Sequence, residues 1–238
     1  MGNHLRFRFG GGLRTSSKRC VAAIAMVLLG SLSACFFLPS TSHSFRITLN
    51  AEVDGQPKRA SSVYRITVTK FPSPSGWQLD FRTEGDAVYL DLGEGRHLLL
   101  LIGISQDGWA GRFATQVRDL FLPKPYRDTL DEFREVSNLK ARKELTPQTM
   151  PILARLRDVN NPRSLQILDP ARVPDIYGPG VRVVSVILEM TRDPVTRGIE
   201  KTFPWITGMK QEEEKPGAII RGGPGITISS RLFTRSYR

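Results

Sequence analysis

Cysteine and histidine are scarce in this chain of 238 residues. Its two cysteines are Cys20 and Cys35, so residues 36–238 can form no disulfide. The histidines after that point, His43 and His97, have no second histidine three or four positions away. Zinc sites need clustered ligands. We therefore predict no metal site, and a region after Cys35 that is stable through its hydrophobic core alone.

Local catalytic and cofactor motifs are also missing. A nucleophile elbow needs Gly-x-Ser-x-Gly, and the nearest match, around Ser105, has Asp107 at the last position. Gly93 and Gly95 begin a dinucleotide-binding pattern whose third glycine is replaced by Leu98. We predict that Ser105 is a turn residue, and these patterns identify no catalytic residue and no cofactor.

The first 35 positions contain no acidic residue. An uninterrupted run without charge, Val21 to Leu32, follows five basic residues: Arg6, Arg8, Arg14, Lys18 and Arg19. A basic start, a short apolar run and small residues at its end are typical of an export signal.

The residues that close this run are Leu32-Ser33-Ala34-Cys35. They resemble the lipobox of bacterial lipoproteins, an aliphatic residue and two small residues before a cysteine. The resemblance implies that the leader is residues 1–34, that Cys35 becomes the N-terminus and that it carries three acyl chains, a stable membrane anchor. Phe36 is not the aspartate that retains enterobacterial lipoproteins in the inner membrane, which favours the periplasmic face of the outer membrane.

An uncleaved signal anchor in the inner membrane is the alternative. Cys20 to Leu38 contains 19 residues without a charge, and about 20 apolar residues span a bilayer. Gly30, Ser31 and Ser33 weaken the second half of that run. The basic residues before it leave the N-terminus in the cytoplasm under either interpretation.

The positive charge of the chain is concentrated at its two ends. Of 34 Lys and Arg residues, five belong to the leader and five to the last 24 residues, and the body from 36 to 214 is close to neutral. Nucleic-acid binders carry a basic stripe with aromatic partners. We therefore predict no nucleic-acid partner.

The first half of the region after the leader alternates apolar and polar residues. Phe45 to Val53, Val63 to Thr69 and Trp77 to Phe81 each have the period of a half-buried strand. Val88 to Leu92 and His97 to Ile102 flank the turn sequence Gly93-Glu94-Gly95, and the second of them is apolar enough for a central, covered strand. Residues 44–104 are predicted to form an antiparallel meander.

Helices are expected in the second half. Thr129 and Glu132 fit a capping box before a helix over 129–143. Asp169-Pro170 and Asp193-Pro194 are start signals for two short helices, the second over Val195 to Thr202. Val181 to Met190 and Ile226 to Arg235 are predicted strands, and the three glutamates 212–214 a solvated loop. The fold class is α+β, mainly antiparallel sheet with about three short helices.

Two segments carry a further resemblance. They are Gly85-Asp86-Ala87-Val88-Tyr89-Leu90-Asp91-Leu92 and Asp193 to Lys201 followed by Pro204-Trp205. Both resemble an uncharacterised group of proteobacterial exported proteins. The resemblance implies no activity and no site residues.

Two sets of residues remain as candidates for function. Asp80, Asp86, Asp91 and Glu94 lie on the predicted meander, where paired carboxylates could cleave a glycan, and Asp107 with Trp109 could stack against a sugar. Acids on an open sheet face are common without catalysis. Trp205 follows Pro204, and two interpretations remain for it. Its side chain is either buried in the fold or exposed as the anchor of a contact with a partner protein.

The predicted organisation is a leader over 1–34, a lipidated tether over 35–43 and one periplasmic α+β domain over 44–238. The favoured function is a non-catalytic envelope protein that is held by lipid on Cys35 and acts through another envelope protein. A lipid-anchored hydrolase of cell-wall or glycan substrates is the alternative.

Overall fold

The computed structural model describes residues 38–101, 110–125, 127, 129–213, 220–221 and 227–235. The chain divides into two compact units between Leu38 and Pro39. Every strand and helix described below lies in the second unit.

Twelve strands and four α-helices make up the described part of this unit. The strands are β1 (Ser40–Val53), β2 (Gln56–Ser73), β3 (Gly76–Asp86), β4 (Val88–Gly93), β5 (Arg96–Leu101), β6 (Arg142–Leu145), β7 (Ile152–Leu156), β8 (Leu165–Ile167), β9 (Val181–Thr191), β10 (Ile220–Arg221), β11 (Thr227–Ile228) and β12 (Thr234–Arg235). The helices are α1 (Ala110–Phe121), α2 (Leu130–Asn138), α3 (Val173–Tyr177) and α4 (Trp205–Glu213). Among them none is long and apolar enough to cross a membrane.

Two larger antiparallel sheets carry most of the fold. The first has the order β12-β3-β2-β1-β9-β6 and the second the order β4-β5-β7-β8, while β10 and β11 pair separately. Strand β3 continues into β4 with Ala87 alone between them, so one chain segment passes from the first sheet to the second. The predicted α+β class with mainly antiparallel sheet is confirmed.

The first sheet buries one face, as the alternation predicts. Phe45, Ile47 and Leu49 of β1 are fully buried, and Phe45 lies opposite Tyr64 of β2, with their ring centroids 5.5 Å apart. Helix α2 covers part of this face, with Phe133 fully buried. Burying side chains of this size contributes about 1.5–3 kcal/mol each.

The second sheet confirms the predicted hairpin and the covered strand. Gly93 pairs with Arg96 across the turn, and Leu98 to Leu101 of β5 are all buried between β4 and β7. These leucines share one hydrophobic core with the inner face of the first sheet.

The helix predicted over 129–143 is too long. Its start is confirmed, since Thr129 and Glu132 form the capping box, but Leu139 is already extended. Residues 142–145 form β6 on the open edge of β9, with Leu145 opposite Val186. Hydrogen bonding to this edge outweighs the local helical periodicity.

The helix predicted over Val195 to Thr202 is wrong. The backbone N–H of Thr196 donates to the carbonyl of Val63, and the Thr196 hydroxyl accepts from the N–H of Val63. This segment therefore binds β2 next to the residues that pair with β3, and only Ile199 to Lys201 form a short 3-10 turn. Pro204 precedes α4 instead of ending a helix. The short helix after Asp169 is confirmed, since a 3-10 turn leads into α3.

The C-terminal predictions need correction as well. Glu212 and Glu213 belong to α4 and not to a loop. The strand predicted from Ile226 to Arg235 is divided into β11 and β12 by a 3-10 turn over Ser230 to Leu232, and Ile226 lies outside the described residues. At the other end, β1 begins at Ser40, so four residues assigned to the tether belong to the sheet.

Candidate functional site

The β2–β3 hairpin extends past the point at which the chain enters the first sheet. Ser40, the first residue of β1, lies opposite Thr69, and the N–H of Lys70 donates to the carbonyl of Pro39 at 2.8 Å. The hairpin continues to a turn between Ser73 and Gly76. Four residues beyond Thr69 correspond to about 13 Å at about 3.3 Å per residue. We call residues Lys70–Leu79 the hairpin tip.

The turn of the hairpin tip is held by its own hydrogen bonds. The Ser73 hydroxyl donates to the carbonyl of Gly76 at 2.8 Å and accepts from the N–H of Ser75 at 3.3 Å. The side-chain amide of Gln78 donates to Ser75 at 2.9 Å. The turn therefore has a defined shape without support from the core.

Trp77 continues the apolar face of the sheet beyond the core. Trp77, Leu79 and Phe81 lie on the same face of β3, and Trp77 is the one nearest the turn. It lies opposite Pro72 of β2, and its side chain is 62% exposed. The ammonium nitrogen of Lys70 is 5.2 Å from the centre of its ring, within the range of a cation–π contact. No acidic residue occurs between Lys70 and Leu79.

Exposed large hydrophobic side chains are few in the described part of the chain. They are Leu38, Trp77, Ile167 and Val184. The alternating pattern predicts a half-buried strand at Trp77 and does not predict the projecting tip. The proline- and serine-rich turn without an acid, flanked by Lys70 and Trp77, was the available signal.

Cys35, the predicted lipidation site, lies outside the described residues. In the sequence it stands four positions before Pro39, where the described unit begins. The described chain enters the first sheet at Ser40, the end from which the hairpin tip projects.

Trp205, the predicted partner contact, is half-buried and holds three segments together. Its indole N–H donates to the carbonyl of Val159 at 2.8 Å. Its ring makes an edge contact with Phe233 at 5.0 Å and a tilted contact with the fully buried Phe203 at 5.5 Å. This contact network gives Trp205 a structural role, and a partner contact there stays a prediction.

The candidate carboxylates have separate surroundings. Asp86 is 2% exposed and accepts the N–H of Ile199 at 2.9 Å, which anchors the 3-10 turn beside it. Burial raises the pKa of Asp86, while hydrogen bonds from Thr234 and Ile199 oppose the rise. Asp80 is exposed and six residues away along β3, about 20 Å, whereas glycosidase carboxylates stand about 5–9.5 Å apart.

The acids of the β4–β5 hairpin stabilise its turn. Asp91 accepts the N–H of Gly93 at 2.8 Å, and Glu94 pairs with Arg96 at 3.1 Å. Both acids are exposed. The contacts of Asp91 and Glu94 are thus within the hairpin and its turn.

The two histidines lie in different sheets. His97 is buried on β5, where its Nε2 donates to the carbonyl of Leu156 at 2.9 Å. His43 is 3% exposed on β1, so it belongs to the core and not to a tether. Across the described residues no group of three metal-ligating side chains comes together. Ser105, Asp107 and Trp109 lie outside those residues.

An open cleft lies at the far end of the first sheet, beside the β1–β2 and β4–β5 turns. It has a volume of ≈ 580 Å³. Its charged lining consists of Asp54, Lys58, Glu94 and Arg96. Two acids and two bases select neither an anionic nor a cationic ligand.

No protein-family model, no curated protein and no solved structure matches this chain. Residue chemistry and geometry must therefore carry any functional assignment.

Proposed function

We propose that this protein is a lipid-anchored component of the bacterial cell envelope. Lipid on Cys35 holds it at the periplasmic face of the outer membrane, and it acts through contacts with another envelope protein instead of through catalysis. The single observation that carries the proposal is the sequence Leu32-Ser33-Ala34-Cys35 at the end of an acid-free, basic and then apolar leader.

The start of the folded unit supports this assignment. Strand β1 begins at Ser40, five residues after Cys35, and the first buried residues that the structure describes are His43 and Phe45. Cleavage before Cys35 would therefore remove no described core residue. A fold that begins directly after the predicted cut is what an anchored domain requires.

Lipidation is tested on the N-terminal tryptic peptide of the protein purified from a bacterial membrane fraction. We expect a peptide from Cys35 to Arg46 that carries the mass of diacylglycerol and one further acyl chain. An unmodified peptide from Cys20 to Arg46 would contradict the proposal, because it retains the leader across Ala34 and Cys35. The same sample, separated into inner and outer membranes, assigns the membrane.

The other cysteine of the chain offers a matched control. Cys35→Ser removes the thiol that receives the lipid, so the precursor should accumulate uncleaved. Cys20→Ser lies within the leader and should be processed as in the wild type. Equal processing of the two variants would reject the role of Cys35.

The protein contact is tested at an exposed neighbour of Trp205, because truncating Trp205 itself also removes packing. A photo-crosslinking amino acid at Thr207, exposed on α4, should give one recurring adduct in whole cells. The same group at the exposed Asp80 of β3 is the control. Absence of an adduct from Thr207, or an identical pattern from both positions, argues against a partner at Trp205.

Hydrolysis is the competing outcome. If the purified protein degrades isolated cell wall and a single change such as Asp80→Asn abolishes this activity, the non-catalytic assignment is wrong.

A further inference from the structure

The strand register fixes how far the hairpin tip reaches toward the predicted anchor. Ser40 pairs with Thr69, while β2 runs on to Ser73. The turn therefore lies about 13 Å beyond the level of Ser40, in the direction from which the chain enters.

The tether is too short to lift the domain clear of the membrane. Four residues, 36–39, lie between Cys35 and Ser40, which makes five Cα–Cα steps. A chain extends by at most about 3.5 Å per residue, which limits the distance from Cys35 to Ser40 to about 17 Å. Even with the tether fully extended along the strand direction, the turn reaches within about 4 Å of the level of Cys35. A tether that spans about 13 Å or less along this direction brings the turn to that level.

The chemistry of the hairpin tip suits a lipid interface. Trp77 is the most exposed of the large hydrophobic side chains described, and tryptophan is enriched where lipid headgroups meet the hydrocarbon. Phe71, on the opposite face of the hairpin, is half-buried, so both faces of the tip carry an aromatic ring. Lys70 is the one charged residue from 70 to 79, and a single lysine near an anionic leaflet is attracted to it.

We infer that the hairpin tip is a second membrane contact, with Trp77 among the lipid headgroups and Lys70 directed at anionic lipid. The inference rests on the proposed lipid anchor, since the short tether from Cys35 is what brings this end of the sheet to a bilayer. With two points of attachment the domain has a fixed orientation. The β1–β2 turn and the open cleft then face away from the membrane.

A single engineered thiol provides the test, because the processed chain has no other free cysteine once Cys35 is lipidated. Ser75→Cys in the turn of the hairpin tip is labelled with an environment-sensitive fluorophore, in full-length lipidated protein reconstituted into phosphatidylethanolamine–phosphatidylglycerol vesicles. Gln56→Cys is the control, since it lies opposite Val53 at the other end of β1, and the 17 steps along β2 from Gln56 to Ser73 span about 56 Å. We expect a blue shift and several-fold quenching by brominated lipid at position 75, and neither at position 56.

Two substitutions test the residues themselves. Trp77→Ala should abolish most of the quenching at position 75, whereas Val184→Ala, which truncates another exposed hydrophobic side chain, should leave it unchanged. Lys70→Glu should reduce the quenching in vesicles with phosphatidylglycerol and have less effect in vesicles of phosphatidylcholine alone. Equal effects of Lys70→Glu in both lipids would reject the role of its charge.

The outcomes separate the two proposals. Lipidated protein whose label at position 75 stays unquenched overturns the membrane contact and leaves the anchor intact. A label shielded from solvent but not quenched by lipid indicates that the tip contacts a second copy of this protein, which also overturns the membrane contact. An N-terminal peptide without lipid, measured on the same sample, overturns the anchor and with it the basis of the contact.

Discussion

His43 is a histidine side chain in an almost fully apolar site. Its ring lies 6.3 Å from that of Phe45 and is stacked 6.5 Å from that of Phe133. Within the described part of the chain neither ring nitrogen has a hydrogen-bond partner. Burial lowers the pKa of His43 from 6.5 to about 4, so the ring is neutral in the folded protein at neutral pH.

His43 should make the protein sensitive to mild acid. Because the unfolded chain binds a proton at a higher pH than the folded one, the free energy of unfolding should fall as the pH drops from about 6.5 to about 4. A pKa difference of one unit corresponds to about 1.4 kcal/mol, so the free energy of unfolding should be about 3 kcal/mol lower at pH 4 than at pH 7. Urea unfolding at pH 7 and at pH 4 measures it.

The substitution His43→Leu isolates this contribution. Asp86 has the opposite effect on the pH dependence of the free energy of unfolding. Because its pKa is raised in the folded protein, Asp86 stabilises the fold below pH 3.8, and this contribution is lost as the pH rises through the folded-state pKa. Asp86 is unchanged in His43→Leu, so the difference between wild type and variant reports the histidine alone. If both proteins lose the same stability between pH 7 and pH 4, the imidazole has no such role.

Gly85 of β3 lies against Tyr64 and Val63 of β2. A β-carbon added there would lie 2.7 Å from Cδ1 of Tyr64 and 3.0 Å from the carbonyl of Val63, and its φ is +132°. The Tyr64 ring is fully buried and cannot move aside. Only glycine fits this position of the hairpin.

Gly85→Ala should therefore destabilise the hairpin far more than another glycine change. We expect a loss of about 3 kcal/mol, from overpacking against Tyr64 together with an unfavourable φ. Gly55→Ala is the matched control: its φ is +79°, but nothing lies within 4 Å of the added carbon, so it should cost only about 1–2 kcal/mol. Chemical denaturation compares the two. Equal losses would mean that backbone strain, and not the contact with Tyr64, requires glycine.

At the level of the whole molecule, the two sheets share one hydrophobic core. Ala87 joins β3 to β4, and its N–H donates to the carbonyl of Phe233 at 2.7 Å. Phe203 contacts the Tyr89 ring of β4 at 5.1 Å and also contacts Trp205. The C-terminal segment thereby closes over the junction of the sheets.

We expect Trp205→Ala to lower the stability of both sheets together. Truncating this side chain removes two ring contacts and a hydrogen bond, a loss of about 3 kcal/mol. Far-UV circular dichroism and tryptophan fluorescence should then report one shared urea transition at a lower midpoint. Trp205→Phe keeps most of the ring area and serves as the milder control. Two separate transitions, with one unaffected by Trp205→Ala, would indicate independent subdomains.

Local patterns determined the elements whose signals lie within a few residues. Alternating side chains predicted β1 to β3 because the period of two is a property of each strand alone. Strands β4 and β5 followed from the glycine-containing turn between them and from the apolar run of β5. The capping box predicted where α2 starts. The Leu32 to Cys35 motif is likewise local, and it supports the proposed anchor without any tertiary information.

Tertiary structure decided what depends on distant partners. The segments at 142–145 and around Thr196 follow strand edges, because an unpaired edge offers hydrogen bonds that local periodicity does not describe. His43 is buried because α2 covers the start of β1. Trp77 is exposed because the register of β1 with β2 ends the shared sheet at Ser40 and leaves the hairpin tip projecting. That register joins residues far apart in the chain, which is why the sequence alone did not predict that the hairpin tip projects past Ser40.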